Sequence, residues 1–193
     1  MLSLFLAVLD GTIVHLALPA MARDLQASAS EAIWVVSAFQ LAALGLLLPL
    51  ASLGDKIGYR RVYLVGIAVF TLSSLGCALA VSMPMLVGMR VLQGVGAAGL
   101  MAVNAALVRL VYPRHLLGRG IALNSLMVAT STVAGPSVAA AVLSVASWHW
   151  LFAVNVPLGL LVLWLGRRAL PGNRRTSVLS IVPLDVVLNV LVF

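Results

Sequence analysis

Three long segments without a formal charge constrain this sequence more than any other feature. Residues 32–53, 62–89 and 120–166 contain no Asp, Glu, Lys or Arg. A helix needs roughly 20 mainly apolar residues to cross the hydrocarbon core of a bilayer, and each segment is that long. Only 9% of all residues are charged and 63% are hydrophobic, whereas charged residues make up about 25% of soluble domains. The sequence therefore predicts an all-α integral membrane protein.

The polar breaks between these segments divide the chain into six predicted spanning helices. We expect helices over residues 2–20, 32–53, 62–81 and 85–108, and two more within residues 120–166. The tryptophans in residues 147–150 separate the last two, because tryptophan is enriched at membrane interfaces. Residues 1–168 are thus predicted to form a six-helix transmembrane domain, followed by a basic cytoplasmic linker at residues 169–183. Residues 184–193 are again apolar and predict the start of a seventh transmembrane helix.

Basic residues are concentrated in alternate connections between the predicted helices. Ten of the 12 Lys and Arg residues lie in three connections: Lys56, Arg60 and Arg61; Arg109, Arg114 and Arg119; and Arg167, Arg168, Arg174 and Arg175. Because positively charged loops stay on the cytoplasmic side, this pattern predicts a cytoplasmic amino terminus and cytoplasmic basic loops. The net charge of +7 thus reflects topology. No nucleic-acid partner is expected, since no basic folded surface with stacking aromatics is present.

The connection after the second predicted helix combines glycines with closely spaced charges. Glycine permits the tight turn that returns the chain to the membrane, and basic side chains hold such a turn at an anionic membrane face. The segment resembles the signature Gly-x-x-x-Asp-Arg/Lys-x-Gly-Arg-Arg/Lys of the major facilitator superfamily. Ala51 replaces the first glycine and Tyr59 an expected basic residue. The matching residues are Asp55, Lys56, Gly58, Arg60 and Arg61.

The resemblance to this family implies both a fold and a role for the matching connection. The family fold has two six-helix halves, and each half consists of two inverted three-helix repeats. The chain would accordingly be an amino-terminal six-helix bundle of 3+3 inverted repeats plus the start of a seventh helix. Its charged connection would gate the cytoplasmic side by contacting the carboxy-terminal half.

Further motifs indicate a branch of this family. Arg90, Gln93 and Gly94 match the superfamily's fourth-helix pattern, and residues 9–19 resemble the first-helix motif of the fourteen-helix drug:proton antiporters. The helix-five motif of drug antiporters is similar to the segment that contains Gly135, Pro136 and Ala139. The resemblance implies proton-coupled efflux of lipophilic, cationic compounds across a bacterial-type cytoplasmic (inner) membrane. The implied partners are a small-molecule substrate, protons, the lipid bilayer and the carboxy-terminal half. A major facilitator transporter of another small solute, or a non-transporting truncated membrane fragment, stays open as an alternative.

Two charged residues fall inside predicted spanning helices. Asp10 lies in the first helix and Arg90 in the fourth, and each costs at least about 2.5 to 3.5 kcal/mol at a helix centre unless it has a partner or a hydrated cavity. These helices begin the two repeats and line the central cavity in the family. We therefore predict that Asp10 carries protons and that Arg90 tunes it. A direct ion pair stays open, as do two structural roles: Arg90 binding carbonyl groups of a neighbouring helix, and Asp10 capping a break at Gly11.

Other patterns argue against an enzyme. Residues 94–99 spell Gly-x-Gly-x-x-Gly, but the fingerprint of dinucleotide-binding loops requires a preceding strand and a soluble βαβ unit. We interpret the segment as a small-residue face for helix packing, formed by Gly94, Ala98 and Ala102. Cys77 is the lone cysteine and the three histidines are scattered, so no metal site and no cofactor are expected. The polar residues Gln40, Asn104, Asn124 and Ser125 either line a substrate path or form interhelical hydrogen bonds.

Overall fold

A computed structural model describes residues 2–170, and these residues form an all-helical bundle. The helices are α1 (Leu2–Asp24), α2 (Ala29–Ile57), α3 (Tyr59–Ala78), α4 (Met83–Val111), α5 (Leu117–Val145), α6 (His149–Ala153) and α7 (Asn155–Ala169), with a 3₁₀ turn at Arg114–Leu116. The predicted all-α membrane fold is confirmed. The predicted linker beyond residue 170 and the seventh helix at residues 184–193 lie outside the described residues.

The described helices supply six candidate membrane spans. Five of them are long and apolar enough without a strong bend. Four of these are single helices, and the fifth, His149–Arg168, consists of α6 and α7. The sixth is α2, which bends by 43° between Ala29–Gly45 and Leu47–Ile57. Large apolar side chains face outward, as in Leu72 (69% exposed) and Val133 (78% exposed). This outer surface suits contact with lipid.

Proline explains both interruptions of the spans. Pro49 has no N–H to donate to the carbonyl of Gly45, and the bend of α2 lies at that carbonyl. Pro157 likewise has no N–H for the carbonyl of Ala153, where α6 ends. Val154 keeps helical angles between α6 and α7, so the span is interrupted in its hydrogen bonding rather than folded back. The second helix predicted within residues 120–166 is therefore one span built from α6 and α7.

The turn between α2 and α3 consists of one glycine. Gly58 has a φ of 98°, a region that L side chains rarely adopt, and its N–H donates to the carbonyl of Gly54 at 3.0 Å. Helix α2 therefore extends to Ile57, and Asp55 lies in its last turn rather than after its end. At the other end of α2, a capping box between Ser28 and Glu31 starts the helix earlier than predicted.

The bundle has two ends that are used below as landmarks. The basic end holds the α2–α3 connection with Lys56, Arg60 and Arg61 and the α4–α5 connection. The far end holds the connections α1–α2, α3–α4 and α5–α6. There the indole Nε1 of Trp148 donates to Asp24 Oδ2 at 2.9 Å, which ties the end of α1 to the start of α6.

Small residues let α4 pack closely against α2 and α3. A Cβ on Gly94 would lie 2.5 Å from the carbonyl oxygen of Phe39 and 2.8 Å from the Ala42 Cβ. A Cβ on Gly96 would lie 2.6 Å from the backbone nitrogen of Phe70. The glycine motif at residues 94–99 is thus a helix-packing surface inside α4, as predicted for Gly94.

The glycine contacts predict a specific loss of stability. We expect Gly96→Ala to lower the free energy of unfolding by about 1 to 3 kcal/mol, because backbone atoms of α3 cannot move aside as a flexible side chain would. Gly88→Ala in the same helix is the matched control, since nothing lies within 4 Å of a Cβ there. Thermal unfolding in mild detergent measures both, and equal midpoints for the two variants would contradict the packing account.

Candidate functional site

The site is centred on an ion pair between α1 and α4. Asp10 and Arg90 are both 0% exposed, and Arg90 Nη1 donates to Asp10 Oδ2 at 2.5 Å. The direct ion pair that the sequence left open is therefore present. Arg90 also binds a neighbouring carbonyl, because its Nε donates to the Val35 oxygen of α2 at 3.0 Å. The alternative role of Asp10 as a cap is not seen, since α1 continues as helix past Gly11.

The second oxygen of Asp10 is held by two amide groups. Gln93 Nε2 donates to Asp10 Oδ1 at 3.1 Å, and Asn155 Nδ2 donates to the same oxygen at 2.5 Å. Together with Arg90, three donors therefore face one carboxylate. An ionised carboxylate accepts on both oxygens, whereas a protonated one carries an O–H donor on one of them, so donors facing both Oδ1 and Oδ2 fit the charged form of Asp10.

Gln93 connects the ion pair to α3. Its Oε1 accepts from Arg90 Nη1 at 2.6 Å, and its Nε2 also donates to Ser74 Oγ at 2.8 Å. The Sγ of Cys77 lies 3.8 Å from the same Oε1. The amide of Gln93 is thus fixed at both ends, and the network reaches from α1 through α4 to α3.

Aromatic rings enclose the guanidinium group of Arg90. Its Cζ lies 4.1 Å from the centroid of the Phe39 ring and 5.7 Å from that of Phe152. In a desolvated site such cation–π contacts attract the guanidinium group in addition to its ion pair with Asp10. Arg90 Nη2 is buried and has no hydrogen-bond partner among residues 2–170. A buried pair of this kind stabilises the fold only while both partners stay matched.

The predicted gating residues lie at the basic end, apart from this site. Asp55 Oδ1 accepts from the hydroxyl of Tyr59 at 2.5 Å, so the tyrosine that replaces a basic residue binds the motif's carboxylate. Arg60 Nη2 donates to the carbonyl of Arg167 at 2.6 Å, which links the connection to the end of α7. Lys56 Nζ is buried without a hydrogen-bond partner in the described chain. Gly58 forms the turn and Arg61 is exposed.

The helix-five motif packs against the helix that carries Asp10. A Cβ on Gly135 would lie 2.8 Å from the Thr12 Cβ, and Ala139 is fully buried on the same face of α5. Ser131, one turn earlier, donates to the carbonyl of Phe5 at 3.2 Å. Pro136 points outward as an exposed residue. This motif therefore positions α1 rather than contacting the ion pair.

Sequence reasoning missed three members of the hydrogen-bond network around the ion pair: Gln93 and Asn155, which bind Asp10, and Ser74, which binds Gln93. Gln93 could have been identified from its spacing. It lies three residues after Arg90, and residues three apart on a helix share a face. Asn155 and Ser74 lie 145 and 19 residues from their network partners, and no local pattern connects them. Of the other polar residues, Asn104 Nδ2 donates to Asn124 Oδ1 at 3.1 Å, whereas Gln40 and Ser125 are exposed. No group of three metal-binding side chains occurs within residues 2–170.

Comparison with known protein families agrees with these motifs and this geometry. The family model described as Major Facilitator Superfamily matches residues 1–182. The chain belongs to the major facilitator superfamily. Its fold is also that of a family structure, the crystal structure of a bacterial homologue of the human lysosomal transporter Spinster in an inward-facing conformation. The two superpose with a TM-score of 0.63 at 19% identity, over 95% of this chain and 44% of that one.

Curated members of the superfamily carry several functional names. The chain is 55% identical over 168 residues to the uncharacterized transporter YebQ of Escherichia coli K12, covering 87% of this chain and 37% of YebQ. It is 32% identical to the riboflavin transporter RibZ of Clostridioides difficile, covering 88% of this chain and 37% of RibZ. MdtD of Salmonella paratyphi B, named for multidrug resistance, is 37% identical over 82% of this chain and 34% of MdtD. The chain thus spans well under half the length of these relatives, and it is a multi-pass membrane protein of a transporter family.

Proposed function

We propose that this chain is the amino-terminal half of a proton-coupled exporter of lipophilic, cationic compounds. The observation that carries the proposal is a fully buried Asp10 carboxylate, paired with Arg90, inside membrane-spanning helices. Charges placed at such cost in a membrane usually mark ion or proton pathways. The name of MdtD and the helix-five motif support drug export. The basic end then faces the cytoplasm of a bacterial-type cell, following the distribution of Lys and Arg.

Competition at Asp10 supplies the exchange in this proposal. In the ionised state the carboxylate is occupied by Arg90, Gln93 and Asn155. A proton that binds Asp10 neutralises the carboxylate and weakens its attraction for Arg90. Deprotonation restores a negative charge that a cationic substrate competes for. The proton and the substrate therefore bind in alternation, while the carboxy-terminal half completes the cavity and rocks against this half.

Everted membrane vesicles that contain the full-length protein test the direction and the coupling. Respiration acidifies the vesicle lumen, and adding a lipophilic cationic dye should let protons leave as the dye enters, which a pH-sensitive fluorophore detects. Empty-vector vesicles are the control. A transporter of another small solute is the second candidate, favoured by the identity with RibZ. A proton signal with a neutral flavin and none with cationic dyes would replace the first proposal by the second.

Asp55 is proposed to gate the cytoplasmic side rather than bind substrate. We expect Asp55→Asn in the full-length protein to lower the transport rate several-fold and to leave dye affinity unchanged, because Asp55 lies at the basic end and bonds Tyr59. Tyr59→Phe, which removes the hydroxyl donor, should produce a smaller loss of the same kind. Fluorescence binding titrations and rate measurements separate the two effects. Loss of dye binding by well-folded Asp55→Asn protein would assign Asp55 to the substrate site instead.

A further inference from the structure

Asn155 occupies an unusual place beside the ion pair. It is the first residue of α7, directly after the interruption of the span at Val154, and its side chain is 1% exposed. Its Nδ2 donates to Asp10 Oδ1 at 2.5 Å. The proposed function counts this amide among the donors to ionised Asp10 and gives it no role when Asp10 is neutral.

The three donors around Asp10 differ in what they can do when Asp10 binds a proton. Arg90 has donors only and stays charged, so it cannot accept a hydrogen bond from the O–H of protonated Asp10. The amide of Gln93 is held at one end by Arg90 Nη1 and at the other by Ser74 Oγ. Asn155 carries no such second anchor in the described part of the chain, and an asparagine amide can present either a donor or an acceptor.

We propose that Asn155 is a positioning residue whose amide turns over when Asp10 changes its protonation state. In the ionised state Nδ2–H donates to the carboxylate, as the structure shows. In the neutral state the carboxyl O–H donates to Oδ1 of the rotated amide, so the proton on Asp10 is hydrogen-bonded even in a dry site. A buried donor without an acceptor costs free energy, and rotation of the amide removes this cost for the carboxyl O–H of neutral Asp10. The inference rests on the proposed proton coupling of Asp10.

The groups that face Asp10 from each packed element leave few other influences on its protonation. Arg90 on α4 is the charged group, and Cys77 on α3 is a thiol that reaches the network through Gln93. The remaining elements present no charged side chain to this site in the described structure: α2 contributes the Val35 carbonyl and the Phe39 ring, α6 contributes Phe152, and α7 contributes Asn155. Removing the Asn155 amide should therefore change the hydrogen bonding of Asp10 directly.

Infrared spectroscopy of the full-length protein tests this without measuring transport. The C=O band of protonated Asp10, identified by its absence in Asp10→Asn, is recorded at acidic pH. We expect Asn155→Ala to move this band to higher wavenumber, because the carboxyl O–H loses the amide oxygen that accepts its hydrogen bond. Asn155→Gln keeps an amide that both donates and accepts, and it should move the band less than Asn155→Ala does.

Asn104→Ala is the matched control, because it removes an amide that binds Asn124 away from Asp10. Its band should match that of the unmodified protein. An unchanged band in Asn155→Ala, or equal bands for Asn155→Ala and Asn155→Gln, would overturn the inference. If the band shifts as expected while Asp10→Asn still exports dye with a proton gradient, the proposed function is wrong and the pairing of Asn155 with protonated Asp10 stands.

Discussion

Asp10→Asn in the full-length protein is expected to reduce proton-driven export of cationic dyes to the level of cells without the transporter. The substitution keeps the shape of the side chain and an oxygen that can accept from Arg90, and it removes the group that binds and releases the proton. Asp10→Glu keeps the carboxyl group and should retain part of the export. Dye efflux from energised cells, normalised to the amount of protein in the membrane, measures both.

A double variant separates lost coupling from lost folding. Asp10→Asn leaves Arg90 without its counter-charge, whereas Asp10→Asn combined with Arg90→Gln removes both charges of the pair. We expect the double variant to fold well and still fail to export. Normal efflux by Asp10→Asn, with an intact response to the pH gradient, would place the coupling elsewhere in the full-length protein and return Asp10 to a structural role.

Arg90→Gln alone is expected to lower the free energy of unfolding by about 3 to 5 kcal/mol. Breaking a buried ion pair by removing one partner leaves the other charge uncompensated in a desolvated site. Asp10 would keep its amide donors, Gln93 and Asn155, and lose its cation. The arginine is also the group that Phe39 and Phe152 enclose, so its packing is lost with its charge. Unfolding of the purified protein in mild detergent measures the loss.

Arg61→Gln provides the control for the arginine substitution, because Arg61 is exposed at the basic end. It should change the unfolding free energy by less than about 0.5 kcal/mol. The double variant without both charges should regain most of the stability lost in Arg90→Gln. If Arg90→Gln unfolds like the unmodified protein, Asp10 must be neutral in the resting state, and the proposed exchange at an ionised carboxylate fails.

The spans and the need for partners at the two buried charges could be predicted from the sequence. Hydropathy depends on segment length and composition, and charges inside apolar segments are rare enough to single out Asp10 and Arg90. The close packing of α4 could also be predicted, because the small residues Gly94, Ala98 and Ala102 recur every four positions and share one helix face. These features are all local, so each can be read within one segment.

The partners of the ion pair could not be predicted in the same way. Asn155 meets Asp10 across 145 residues, and its contact depends on how α7 rotates about its axis, which hydropathy does not determine. The bend of α2, by contrast, could have been predicted from the sequence. Pro49 lies inside the helix and has no N–H to donate to the carbonyl of Gly45, where the bend occurs. The extension of α2 through Asp55 depends on Gly58 turning the chain within a single residue.

Proton release on substrate binding tests the central claim most directly. Purified full-length protein in weakly buffered detergent solution receives a saturating lipophilic cationic dye over a series of mildly acidic to neutral pH values, and a pH indicator records released protons. The account predicts release by the unmodified protein, the same release by Asp55→Asn, and none by Asp10→Asn. Dye binding without proton release, or undiminished release by Asp10→Asn, would contradict the exchange of proton for cation at Asp10.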